Sequence, residues 1–346
     1  MISRRECLLT AVASAISSAA VQKTKLDEAV ALIESSGVRA AALEVTRGDF
    51  RFARGFGAAQ PDTVFLLASI SKPITATAVM RLADRGSLSL SDPVHKFIPE
   101  FTGGERALIT IRHLLTHTSG LPDMPPNNNE LRARHAPLNA FLASVCQVPL
   151  LFKPGTQVRY QSMGILLAAE IVERITETPL REYLRREVFG PLDMTATSLG
   201  LGGRKLADTA QVEVTGDDSW NWNSPYWRDL GSPWGGVHSN AADITRFLQS
   251  FLHPDGRVVK RETAAMMIKN QNAGLKTPWG LGWMVKPGDF GKACSNRTFG
   301  HFGSTGTCAW ADPETNLTCV LLTTKPADQS RSHLLGPVSD FVSQSA

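Results

Sequence analysis

The sequence is poor in cysteine and tyrosine, and neither sign of charge dominates it. Five cysteines are scattered through 346 residues and none forms a Cys-x-x-Cys pair. Neither a disulfide scaffold nor a thiolate metal site is indicated. Lysine plus arginine number 36 against 32 aspartate plus glutamate, a net charge of +4. That excess is too mild over this length to mark a nucleic-acid surface. No apolar run reaches the roughly 18 residues of a membrane span, and there is no internal repeat or low-complexity tract. What remains is ordinary globular composition, 42% hydrophobic and 20% charged, which excludes wholesale disorder. At roughly 150 residues per domain the length suggests about two domains. Such a chain can bury a core without a structural metal.

The N-terminus carries Arg4-Arg5, a mild apolar stretch from Leu8 to Ile16, then Ser17-Ser18-Ala19-Ala20. A basic head, apolar middle and small-residue end form a signal-peptide pattern over 1–20. The paired arginines suggest the twin-arginine variant and a periplasmic or secreted product. The plainer alternative is an amphipathic N-terminal helix.

Periodicity predicts helices over 22–36, 70–84, 110–116, 137–146, 163–176, 179–188, 241–252 and 329–343. It predicts strands over 38–46, 50–57, 280–286, 297–302, 306–311 and 317–324. The β-rich ends thus bracket a helical middle. We expect an α/β (α+β) protein: an antiparallel sheet flanked by helices, built from 21–90 and 255–346, with a mainly helical domain inserted over 91–254.

Ser69 and Lys72 open the 70–84 helix, and three residues apart they share a face. A free serine hydroxyl is a poor nucleophile, but a desolvated amine beside it can take its proton. Pro73 is tolerated because first-turn N–H groups lack intrahelical partners. A capping serine beside a solvated lysine would explain the pattern as well. The apolar flank Phe65-Leu66-Leu67-Ala68 favours burial and the chemical reading. Downstream, Tyr160 is one of only three tyrosines. Near an ammonium it could ionise more readily and relay a proton. His301 stands on the late strands, where it could orient a substrate or lend a proton. Gly303 would let a ligand approach the strand backbone.

Five stretches in order resemble the serine β-lactamase superfamily, in its class C-like branch. They are Leu66–Pro73, Ile109–Pro122, Pro154–Ser162, Gly235–Asp243 and Gly300–Gly303. That branch also holds D-alanyl-D-alanine carboxypeptidases, D-aminopeptidases and family VIII carboxylesterases. The resemblance implies Ser69 as nucleophile, Lys72 as its proton partner and Tyr160 as general base or acid. It implies that Ser162, His301 and Gly303 face the substrate and that the backbone N–H groups of Ser69 and Ser304 form an oxyanion hole. It implies a small ester, amide or short-peptide substrate, with no metal and no organic cofactor. Two departures tilt the expectation toward esters or unusual amides. Ser162 stands where the branch usually has Asn, and Phe302 where a threonine often binds the substrate carboxylate. A β-lactamase, a D-alanyl-D-alanine carboxypeptidase and a catalytically silent ligand-binding homologue are the alternatives.

Three other features are ambiguous in sequence. His113 and His117 have i, i+4 spacing but lack the acidic partner of a zinc helix. Trp220, Trp222, Tyr226, Trp227 and Trp234 read either as a pocket wall or as pins for their own loop. Cys308 and Cys319 flank a hairpin turn symmetrically, which would permit a bridge if they were directly opposite.

Overall fold

The computed structural model describes residues 24–214, 219–286 and 288–345; the leader read over 1–20 lies outside them. The ends of the chain build one five-stranded antiparallel sheet. Its strands are β1 (Ala40–Arg47), β2 (Phe50–Gly57), β3 (Phe299–Gly303), β4 (Thr307–Asp312) and β5 (Leu317–Thr323), in spatial order β2-β1-β5-β4-β3. The two-residue period sorts the side chains. Leu43, Val45, Cys308, Trp310, Cys319 and Leu321 point into one apolar layer. Ala42, Ala309, Ala311, Val320 and Leu322 point into the other.

Two helices cover the first layer, α1 (24–35) through Leu26, Ala29 and Ile33, and the C-terminal α5 (Gly336–Gln344) through Val338 and Val342. The second layer joins the large core that holds α2 (Ser71–Asp84), α3 (Met163–Thr176) and α4 (Ala241–Leu252). Helix α4 begins where the sequence signals it. The Asn240 side chain accepts from the Asp243 N–H at 2.9 Å, closing one orphan donor of the first turn. The apolar face of α4, Ile244, Phe247, Leu248 and Phe251, is buried.

One expectation fails. Residues 280–286 do not form a strand. Leu281, Trp283 and Val285 are buried with the alternation of one, but the backbone turns at Gly282, φ +83°, where a Cβ would meet Ala76 of α2. Only Met284 bridges to Gly300, across the outer edge of β3. Cys308 and Cys319 are both free. Cys308 faces Leu321 and Cys319 faces Trp310, so the two cysteines are two residues out of register with each other.

Candidate active site

The site forms where β3 meets the N-terminus of α2. Ala68–Ile70 is a single 3₁₀ turn ahead of α2, so Ser69 is raised on a tight corner. Ala68 sits at φ +48°, a left-handed conformation that non-glycine residues adopt at a cost. Two hydroxyls hold the corner against the β3–β4 hairpin. Thr305 Oγ1 donates to the Leu66 carbonyl at 2.7 Å and Thr307 Oγ1 to the Leu67 carbonyl at 2.9 Å. Gly303 belongs to this clamp. A Cβ there would collide with the Leu67 carbonyl and the Thr307 hydroxyl. The close approach predicted at Gly303 is therefore made by the protein's own backbone, not by a ligand.

Helix α2 is fixed on its other side by residues 233–237. Thr75 Oγ1 donates to the Pro233 carbonyl at 2.7 Å, and the Val237 N–H donates to Ser71 Oγ at 3.0 Å. Lys72 is 0% exposed. Its Nζ donates to Ser69 Oγ at 3.0 Å and to the Trp234 carbonyl at 3.1 Å. Burial disfavours the ammonium and pushes this amine down to about 7, against a smaller opposing pull from Asp123. Near neutrality the amine holds a lone pair next to a hydroxyl, the requirement for taking its proton.

Tyr160 lies across Lys72, whose Nζ is 4.7 Å from the ring centroid. The ammonium thus meets the ring face, and the expected easier ionisation is not found. Desolvation holds the phenol well above the ordinary tyrosine range, although a side-chain interaction with Ser69 works the other way. Tyr160 nonetheless keeps 37% of its surface exposed and lines the cavity. It enters as a neutral phenol, able to pass a proton but poor at removing one.

Behind Tyr160 is a ring cluster that the motifs do not announce. His117 packs 4.8 Å from Tyr160 and 4.6 Å from Trp279, centroid to centroid, and His301 lies 6.0 Å from each of the same two rings. Burial, then the Lys72 charge, lowers both histidines, His301 to about 3 and His117 well below its usual range. Both are neutral imidazoles at physiological pH. The i, i+4 pair has separate duties. His113 Nδ1 accepts from the Thr110 N–H at 3.2 Å in the capping box of helix Ile111–Leu115, while His117 joins the rings.

The cavity over Ser69 has a volume of about 210 Å³. Ser69, Tyr160, Ser162 and Ser304 line it, as do Asp123 and Arg132; His301 and Gly303 do not. Phe302 points to the opposite face of β3, stacked 5.1 Å from Phe290 with Arg331 over it. Its bulk removes no polar group from the cavity, which withdraws one of the two sequence arguments against a carboxylate handle. The tryptophans serve both roles. Trp222, Trp227 and Trp234 line the cavity, while Tyr226 pins its loop by donating to the Ala136 carbonyl at 2.8 Å. Three larger surface clefts, about 570, 860 and 250 Å³, include none of Ser69, Lys72 or Tyr160; chemistry, not size, selects the site.

Sequence comparison agrees with this geometry. Esterase EstB of Burkholderia gladioli is 36% identical over 187 residues, 47% of each chain. A β-lactamase structure from Mycobacterium bovis is 26% identical with a TM-score of 0.65, covering 90% of this chain and 96% of that one. The structure of EstCE1, a hydrolase with promiscuous acyltransferase activity, superposes with a TM-score of 0.78 at 21% identity. It covers 95% of this chain and 100% of that one, and at that identity it speaks for the fold. The family model described as Beta-lactamase matches residues 27–336, and with a serine–lysine pair set on this sheet edge the chain belongs to the beta-lactamase family.

Proposed function

We propose that this family member is a carboxylesterase-type serine hydrolase working through an acyl-enzyme on Ser69. The observation that carries the reading is the Lys72 amine, fully buried, near-neutral and 3.0 Å from Ser69 Oγ. Neutral Lys72 takes the Ser69 proton as Oγ attacks the ester carbonyl. The oxyanion develops toward the backbone N–H groups of Ser69 and Ser304, donors of the kind worth ~2.7–4 kcal/mol each in such sites. The Lys72 ammonium then protonates the leaving alkoxide, with Tyr160 as the relay. Water repeats the sequence on the acyl-enzyme and regenerates Ser69. Ser162 in place of Asn supports an ester over a β-lactam, because it offers a shorter and less amide-like partner. The esterase relative is consistent with this preference.

The test is hydrolysis of p-nitrophenyl butyrate by wild type beside Ser69→Ala. Loss of activity in the variant is expected; equal rates would overturn the assignment. Nitrocefin turnover faster than ester turnover would move the protein to the β-lactamase side. We read residues 1–20 as an export leader, so the mature enzyme should fractionate with the periplasm or medium. Retention of Arg4→Lys/Arg5→Lys protein in the cytoplasm is the matching control.

A further inference from the structure

Two arginines are buried near the cavity, and they are treated oppositely. Arg228 is fully enclosed, and all three of its nitrogens are used. Nε donates to the Trp222 carbonyl, Nη1 to Thr209 Oγ1, and Nη2 to the Ala210 carbonyl and Asn223 Oδ1. It is a strut that holds the tryptophan loop. Arg132 is 9% exposed and lines the Ser69 cavity, yet among the described residues its Nε–H has no partner. The one hydrogen bond its guanidinium makes among them runs from Nη2 to the Met124 sulfur at 3.6 Å, a weak acceptor.

The guanidinium is nevertheless held firmly in place. It lies 4.3 Å from the Trp220 ring centroid and 4.4 Å from that of Trp227, and those centroids are 5.2 Å apart, so both rings hold the guanidinium from one side. A planar cation held by rings on one side can still bind through its N–H edge, in the fork geometry that matches a carboxylate. Burying such a group unpaired is costly, and a ligand that pairs with it recovers that cost. Asp123 shares the cavity and acts on Arg132 as a charge through space, not as a hydrogen-bond partner.

We propose that Arg132 is a specificity-determining residue that reads a carboxylate on the substrate, so that the preferred ester or amide carries an anionic group. The inference rests on Ser69 chemistry for its word "substrate", but not for the anion site itself. The carboxylate belongs either to the acyl part or to the leaving group.

Three esters of matched length separate these cases: p-nitrophenyl butyrate, p-nitrophenyl hydrogen succinate and 3-carboxy-4-nitrophenyl butyrate. Wild type, Arg132→Gln and Arg132→Lys are compared by kcat/KM. For one of the two anionic esters, Arg132→Gln should lose roughly ten-fold or more relative to its own loss on the neutral ester. The loss should fall mainly in KM, with partial recovery in Arg132→Lys. The ester that responds identifies which side holds the anion. A proportionate loss on all three esters, or an unchanged anionic-to-neutral ratio, overturns the proposal.

A second measurement needs neither turnover nor an Arg132 variant. Benzoate and benzamide are titrated into Ser69→Ala protein while tryptophan fluorescence is followed, since Trp220 and Trp227 both pack against the guanidinium. Benzoate should bind roughly ten-fold or more tightly than benzamide; equal binding overturns the proposal. Benzoate binding by Ser69→Ala, together with a wild type that hydrolyses none of the three esters, would uphold the anion site and defeat the hydrolase reading.

Discussion

Lys72 Nζ stands 3.0 Å from Ser69 Oγ, inside a buried pocket where, among the described residues, its only other hydrogen bond is to the Trp234 carbonyl. Among the described residues no carboxylate lies within 4.0 Å of this amine. The charged form is therefore disfavoured, and the proton balance of the site tips near neutral pH.

Activity should follow that balance. The competent form is the neutral amine, so kcat/KM for p-nitrophenyl butyrate should rise with pH through about 7 and level off above it. Lys72→Arg, whose side chain stays protonated, should lose roughly 10²–10⁴-fold. A flat profile between pH 5 and 9 in wild type would refute the role.

The same shift governs stability. Lys72 in the fold ionises near 7, well below the ordinary lysine range, so the unfolded chain binds more protons between those values. Its contribution to stability must therefore increase as pH rises through that window. Subtracting the thermal midpoint of Lys72→Met from that of wild type, at pH 7 and again at pH 9, should reveal this. The wild type should gain relative to the variant at pH 9.

Tyr160 carries a protonated phenol over the same range. Tyr160→Phe should lower kcat by roughly 10²–10⁴-fold and leave the rise through about pH 7 in place. A variant within two-fold of wild type would remove Tyr160 from the proton path.

Gly303→Ala introduces a methyl where the Leu67 carbonyl and Thr307 hydroxyl already sit. We expect a loss of ~1–3 kcal/mol by urea unfolding. Esterase activity should fall further than stability alone explains, because the displaced atoms position Ser69. Unfolding at the wild-type midpoint with full activity would contradict the clamp.

Alkylation in denaturant without reductant should label both Cys308 and Cys319, which the strand register leaves unbridged. Labelling of either one only after reduction would show that the hairpin register is wrong.

The sequence discloses those parts of this protein whose causes are local. The helices over 163–176 and 241–252 appear at the predicted positions, because caps and apolar spacing lie within the segment itself. Ser69 and Lys72 are legible for the same reason, being three residues apart on one turn. The 280–286 stretch misleads because its alternation is real, while the turn at Gly282 is imposed by Ala76 two hundred residues earlier. His117, Trp279 and Arg132 carry no local signal. Their roles arise only from what the fold sets beside them. The orientation of Phe302, stacked on Phe290, is not legible either, because a motif position does not reveal which face of a strand a side chain takes.

The corner that presents Ser69 is held by hydroxyls 239 and 240 positions further along the chain. During synthesis the nucleophile motif therefore leaves the ribosome long before the threonines that shape it. At 5–20 residues per second, the interval is on the order of ten seconds or more. Until the last hairpin emerges, Ser69 lacks its clamp and its edge strand. A nascent chain ending before β3 therefore lacks both hydroxyls of the clamp, and the corner around Ser69 is completed only when the two ends of the polypeptide meet.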